Sequence, residues 1–221
     1  MLIEYQPDRY LFAHHTLQEY LTTRYLLEQQ LGEGLHTRVK DEWWHESIRL
    51  YCAKTKATAL IQACLDHDTL SALILAASCL EETDNVQPAV RAEVMARLQE
   101  GVEKNDPEWH KRSAEALLSL RLRNMKRVTD HKYVDHTLIT HAEYQLFLDK
   151  ERANGQYYQP AHWIDDHFPP GMGNAPVVGI SPQAAITFCD WLTQQLPTTQ
   201  WRYRLPNTQE LDPESIEIHT R

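Results

Sequence analysis

Apolar positions along the chain follow one regime up to about residue 124 and another after it. The opening stretch MLIEYQPDRYLFAHH alternates Ile3/Tyr5 and then Tyr10/Phe12 around the turn signal QPD, which predicts a small β-hairpin. In TLQEYLTTRYLLEQQL, Leu17, Tyr20, Leu21, Leu27 and Leu31 share one helical face. Thr16 and Glu19 stand at capping-box spacing before it, and GEG stops it. A second helix is predicted near Asp41 in DEWWHESIRLYCA, striped by Trp44, Ile48 and Tyr51. ATALIQACL and TLSALILAASCL predict two more, separated by the polar DHD. Val90, Val94 and Leu98 mark another. Asp106 and Pro107 give a strong start signal for DPEWHKRSAEALLSL, because proline at the first helical position sacrifices no helical hydrogen bond. Residues 15–122 thus predict helices joined by short loops, stacked as antiparallel neighbours in a curved array. No strict repeat is visible, so a helical repeat is only suggested by the pattern.

Past Asn124 the pattern changes. MKRVTDHKYVDHTLI is rich in β-branched and aromatic residues and predicts strand. THAEYQLFLDKERANG predicts a helix with Thr140 and Glu143 as capping box and Gly155 as stop. QYYQPAHWIDDHFPPGMGNAPVVGI holds four prolines and predicts an irregular but ordered loop anchored by Tyr158, Trp163 and Phe168. SPQAAITFCDWLTQQL predicts a helix capped by Ser181, with Pro182 first and Ala185, Phe188, Cys189 and Leu192 on its buried side. QWRYRL predicts a strand with Trp201 and Tyr203 on one face and Arg202 and Arg204 on the other. Asn207 and Glu210 follow at capping-box spacing. The fold class expected is α+β: an N-terminal helical array over 1–124, then an incomplete α+β domain over 125–221.

Composition narrows the setting. At 42% hydrophobic and 24% charged the chain has ordinary globular character. A net charge of −9 repels phosphate, so nucleic acid and anionic membrane are not expected partners. The four cysteines show no C-x-x-C spacing and read as reduced thiols of a cytoplasmic protein. No apolar run is long enough for a membrane span.

Four blocks in the second segment carry a resemblance: LITHAEYQLFLD, QPAHW, APVVGISPQAAITFCDWL and YRLPNTQEL. In order and spacing they resemble the opening half of the formylglycine-generating-enzyme, or sulfatase-modifying-factor, family, whose fold is C-type-lectin-like. That resemblance implies copper held by paired cysteines, and calcium sites, in the family's later half. The chain is expected to end inside this domain, in a tail DPESIEIHTR where Pro213 disfavours helix. In the first segment, YLFAHHTLQEYLTTRYL is similar to the F-x-H-x-x-x-Q-E-Y block beyond the nucleotide-binding core of NACHT-type signalling ATPases, and WWHESIRLYCA to the tryptophan-led helix after it. The NACHT resemblance implies a C-terminal sensor plan, but there is no G-x-x-x-x-G-K-[ST] phosphate loop.

Candidate chemistry is sparse. His14 and His15 are adjacent, so in a strand they face opposite sides and do not share a metal. His131, His136 and His141 recur at a period that fits neither helix nor strand. His162, Asp165, Asp166 and His167 form the most metal-like cluster, but in a loop better read as solvated, with Trp163 its anchor. Cys52, Cys64 and Cys79 lie on apolar stripes and are expected to be inert. Trp43 and Trp44 cannot both face one core, so one is expected to be exposed or wedged. Arg204, which resembles the family's structural arginine, is expected to be a buried salt-bridge partner.

No catalytic, cofactor-binding or metal residue is therefore named, and no cofactor is expected. The function expected is a non-catalytic sensor or protein-interaction module of a NACHT-type signalling protein, with a protein partner or self-association. The alternatives are a formylglycine-generating oxidase of protein cysteine and a non-functional gene fragment.

Overall fold

The computed structural model describes residues 2–7, 9–12, 14–135, 137–195, 201–207 and 210. His136, the start of QWRYRL at Gln200 and the tail with Pro213 lie outside the described residues. The fold is α+β, and its contacts divide it into two compact units, 1–98 and 99–221.

The first unit opens with the expected hairpin. Strands β1 (Leu2–Gln6) and β2 (Arg9–Phe12) pair antiparallel, Ile3 opposite Leu11, with an irregularity between Glu4 and Gln6. Helix α1 (His15–Glu28) departs from expectation at its start and on its face. Its N-cap is His14, which makes no side-chain cap bond, so Thr16 lies inside the helix and cannot cap it. Glu19 instead meets His15 at 2.9 Å. Tyr20, Leu21 and Leu31 of the predicted apolar stripe are exposed. The buried residue is Thr23, whose hydroxyl donates to the carbonyls of Glu19 and Ser47. The helix packs on α2 (His45–Cys52) and β2, and that contact selects the Thr23 face over the more apolar one.

A 3₁₀ turn, Glu42–Trp44, leads into α2, and Asp41 caps it by accepting from the Trp43 N–H. Helices α3 (Thr58–Leu65) and α4 (Leu70–Glu82) are joined through Asp68, which holds a positive φ of 43° that aspartate tolerates better than most residues. Thr69 caps α4. Ile48, Ile61, Leu65, Leu80, Val94 and Leu98 are almost wholly buried and form this unit's core. Val94 and Leu98 belong to α5 (Pro88–Glu103), within which the unit boundary falls.

In the second unit α6 (Pro107–Arg123) starts at Asp106, whose carboxylate accepts from the N–H groups of Glu108 and Trp109. Gly101 lets the end of α5 approach α6: a Cβ there would come within 2.2 Å of Ser113 Oγ. The segment expected as one strand is a two-stranded hairpin, β3 (Lys126–Thr129) and β4 (Lys132–Val134), because Asp130 and His131 form a turn inside it. Helix α7 (His141–Ala153) has the reciprocal Thr140–Glu143 capping box in full, and Gly155 follows at φ 75°. Helix α6 packs against α7 within this unit, and the change of character after Asn124 coincides with the end of α6.

The long loop is ordered by specific bonds. The N–H groups of His141 and Ala142 donate to the carbonyls of Ala175 and Gly173, and that of Val177 donates to Ile139. Asn174 Nδ2 donates to the Gln99 carbonyl. Trp163 and Phe168 are buried anchors, as expected, and Phe168 stacks on His110 at 5.6 Å. Helix α8 (Pro182–Gln194) is capped by Ser181 and buries Ala184, Phe188 and Leu192, whereas Ala185 and Cys189 are only half-buried. Residues 201–207 carry no strand assignment; Tyr203 N–H donates to Thr193 Oγ1 of α8 instead of to a ladder. The candidate box at 207–210 does form, with Glu210 N–H donating to Asn207 Oδ1 and Asn207 N–H to Glu210 Oε2.

Candidate functional site

Helices α7 and α8 meet through a cluster of rings. Tyr144, Phe147, Phe188 and Trp191 lie with centroids 5.3–5.9 Å apart, and the Tyr144 hydroxyl donates to the Tyr158 carbonyl. Aromatic spacing of this kind gives the helix pair a rigid seam. Burial pushes the Tyr144 phenol well above its ordinary value, so its O–H stays a donor.

Beside this seam lies a cavity of about 670 Å³. Tyr144 and Phe188 line one side; β4, Ile139, Val177 and the 201–206 segment line the others. Two ion networks frame it. In one, Arg121 donates to Glu143 at 2.7 Å and to Asp135 at 3.0 Å, and also contacts Thr137. The Glu143 side chain is 2% exposed, so this pair is largely desolvated. In the other, the Glu210 carboxylate takes both Arg204 and Lys132. Those hydrogen bonds, Arg204 first, hold the Glu210 carboxyl far below its ordinary range. Arg204 is thus the salt-bridge partner expected, but on the surface rather than buried.

The residues weighed for chemistry do not converge on this cavity. Asp166 meets Arg152 at 3.5 Å, and its carbonyl accepts from Gln145 and Arg152. The Asp165 carbonyl accepts from Gln159. His162 turns toward Gly179 and the buried His141 instead. Among the described residues no three His, Cys, Asp or Glu side chains are grouped to hold a metal ion. His14 caps α1 and His15 is its first residue. Trp43 is the exposed member of its pair, edge-on to Trp44 at 5.0 Å, and Arg38 lies over Trp44.

Sequence reading left Cys52, Cys64 and Cys79 as separate buried thiols. The first unit brings them together: Cys52 and Cys64 both act on the Cys79 thiol, and all three are at most 1% exposed. Burial pushes the Cys64 thiol up to about 12. The Cys79 thiol is likewise raised well above its ordinary value, by Cys52 first and burial second. Thiols held protonated in this way are poor nucleophiles and poor metal ligands.

The model of the sulfatase-modifying factor enzyme 1-like domain matches residues 86–213, more than half of the chain, and the protein belongs to that family. No curated protein and no solved structure matches the chain. The copper pair that the family resemblance implies does not fit the residues present. Cys189 is the one cysteine within the matched range, and it is half-buried on α8, its thiol raised by burial and by Asp190. The other three lie in the first unit. The cavity itself had only a weak sequence signal, the apolar positions of Ile139, Val177 and Leu192, because its walls come from segments distant in the chain.

Proposed function

We propose that the chain is a non-catalytic recognition module of a NACHT-type signalling protein, in which the sulfatase-modifying-factor-like unit senses and the helical unit relays by protein contact. The single observation that carries this reading is the placement of the thiols. The family-matched part has no cysteine pair, and the remaining cysteines are buried. An open cavity with apolar walls suits binding better than redox chemistry. The NACHT part of the reading is supported by the F-x-H-x-x-x-Q-E-Y block, which falls across the end of β2 and the first turns of α1. The partner is a protein, or a second copy, in the cytoplasm. Exposed Trp43 is a candidate anchor for it, since aromatic side chains dominate interface energetics. Nucleic acid and membrane are not partners in this reading; among the described residues no helix is long and apolar enough to cross a membrane.

The competing reading, an oxidase of protein cysteine, is favoured by family membership. Copper-loaded protein incubated with a cysteine-containing peptide under oxygen separates the two. The recognition reading expects oxygen uptake no faster than copper alone gives. Multiple turnovers of peptide oxidation would replace it with the oxidase.

A further inference from the structure

The cavity beside α7 and α8 has a chemical character that selects its ligand. Its volume, about 670 Å³, lies within the range of roughly 300–1,000 Å³ typical of small-molecule sites. Ile139, Val177, Ile180, Phe188 and Leu192 make its wall apolar. The apolar surface continues to the mouth, where Leu138 is 50% exposed, Trp201 45% and Leu205 44%. Apolar groups left in water around a concave wall favour an apolar occupant.

Charge narrows the choice. Asp135 is satisfied by Arg121, and Lys132 and Arg204 both engage Glu210. Arg123 and Arg202 also line the cavity, and neither has an ion-pair partner among the described residues. Two guanidiniums beside an apolar cavity, unpaired among the described residues, stand out in a chain of net charge −9. A guanidinium matches a carboxylate in shape as well as charge. Asp135 and Glu210 in the same lining repel a doubly charged head such as a phosphate monoester, so a singly charged head is the better match.

We propose that this cavity binds an aliphatic carboxylate, its unbranched chain against Ile139, Val177 and Leu192 and its head toward Arg123 and Arg202. The proposal rests on the reading of this unit as a recognition module and names the class of ligand it recognises. The basic rim would also attract the acidic surface of a second copy, which makes self-association the rival outcome.

Isothermal titration of the full chain with octanoate, decanoate and dodecanoate, below their micelle concentrations, tests it. Saturable one-to-one binding is expected, tightening by roughly four-fold for each methylene that enters the cavity. Decan-1-ol is expected to bind roughly three- to five-fold more weakly than decanoate. Replacing Arg123→Gln and Arg202→Gln together should bring decanoate to the alcohol's affinity and leave the alcohol unchanged. Leu138→Asp, at an exposed position, should abolish binding of both while circular dichroism stays native. Equal affinity for acid and alcohol, an unaffected double variant, or no saturation overturns the proposal. So does a dimer in sedimentation that Leu138→Asp abolishes and decanoate does not dissociate. Cysteine-peptide oxidation in the same preparation would remove the non-catalytic reading and leave a measured carboxylate site standing. No carboxylate binding and no oxidation would remove only this ligand class.

Discussion

Arg121 joins three segments through one guanidinium: it belongs to α6 and holds Glu143 of α7 and Asp135 after β4. Because the Glu143 side chain is 2% exposed, losing its cation strands a buried charge. Arg121→Met is expected to lower stability by about 3 kcal/mol in urea denaturation. Adding Glu143→Leu should recover much of that loss, since the stranded charge goes with it. The thiols give a second test at this scale. Cys189 is half-buried, whereas Cys52, Cys64 and Cys79 are shut in. A thiol-reactive dye under native conditions should therefore label Cys189 first, with the other three reacting only on unfolding, as peptide mapping would show. That these cysteines are buried follows from their apolar stripes; that they gather in one core does not, because α2, α3 and α4 bring them together only by packing.

Helix starts were legible at three local caps, though not at Thr16. Asp106, Thr140 and Ser181 all cap as their spacing predicts, because the bonds span at most three residues. Asp106→Ala is expected to cost about 1 kcal/mol, read from the thermal midpoint. Gly101→Ala sets a gain in helix propensity against a clash with Ser113, and packing should win. A net loss of about 1–2 kcal/mol is expected, largely relieved by adding Ser113→Gly. Helix α1 shows the limit of pattern reading. Its predicted stripe is largely exposed because its neighbours present a surface that accepts Thr23. Single strands were over-read for a related reason. β3 and β4 are so short that the turn between them is hidden in β-favouring sequence, and 201–207 bonds to α8 instead of to a strand.

At the scale of the whole molecule, His141 contributes to acid stability. It is 1% exposed, and burial, with His162 second, holds its imidazole below the ordinary value of about 6.5. The unfolded chain therefore binds the proton more readily than the folded one. Stability is complete above the ordinary imidazole value and declines as pH falls below it toward the folded value. The thermal midpoint should drop between about pH 7 and about pH 5, and His141→Asn should flatten that drop. Thermal scans across that range check it; an unchanged slope in the variant would assign the effect to other groups. The same scans on decanoate-saturated protein should show a raised midpoint, since a ligand bound only by the folded state stabilises it.

By itself the sequence determined the kinds of elements, most of their caps, the α+β class and the family of the second segment. These depend on contacts within a few residues and on the order of motifs along the chain. The tertiary structure alone decided which face α1 buries, how Cys52 and Cys79 meet, how Arg121 clasps Glu143 and Asp135, and that a cavity opens beside α8. Each of these needs side chains from distant segments at defined positions, and periodicity along a chain carries no such distance.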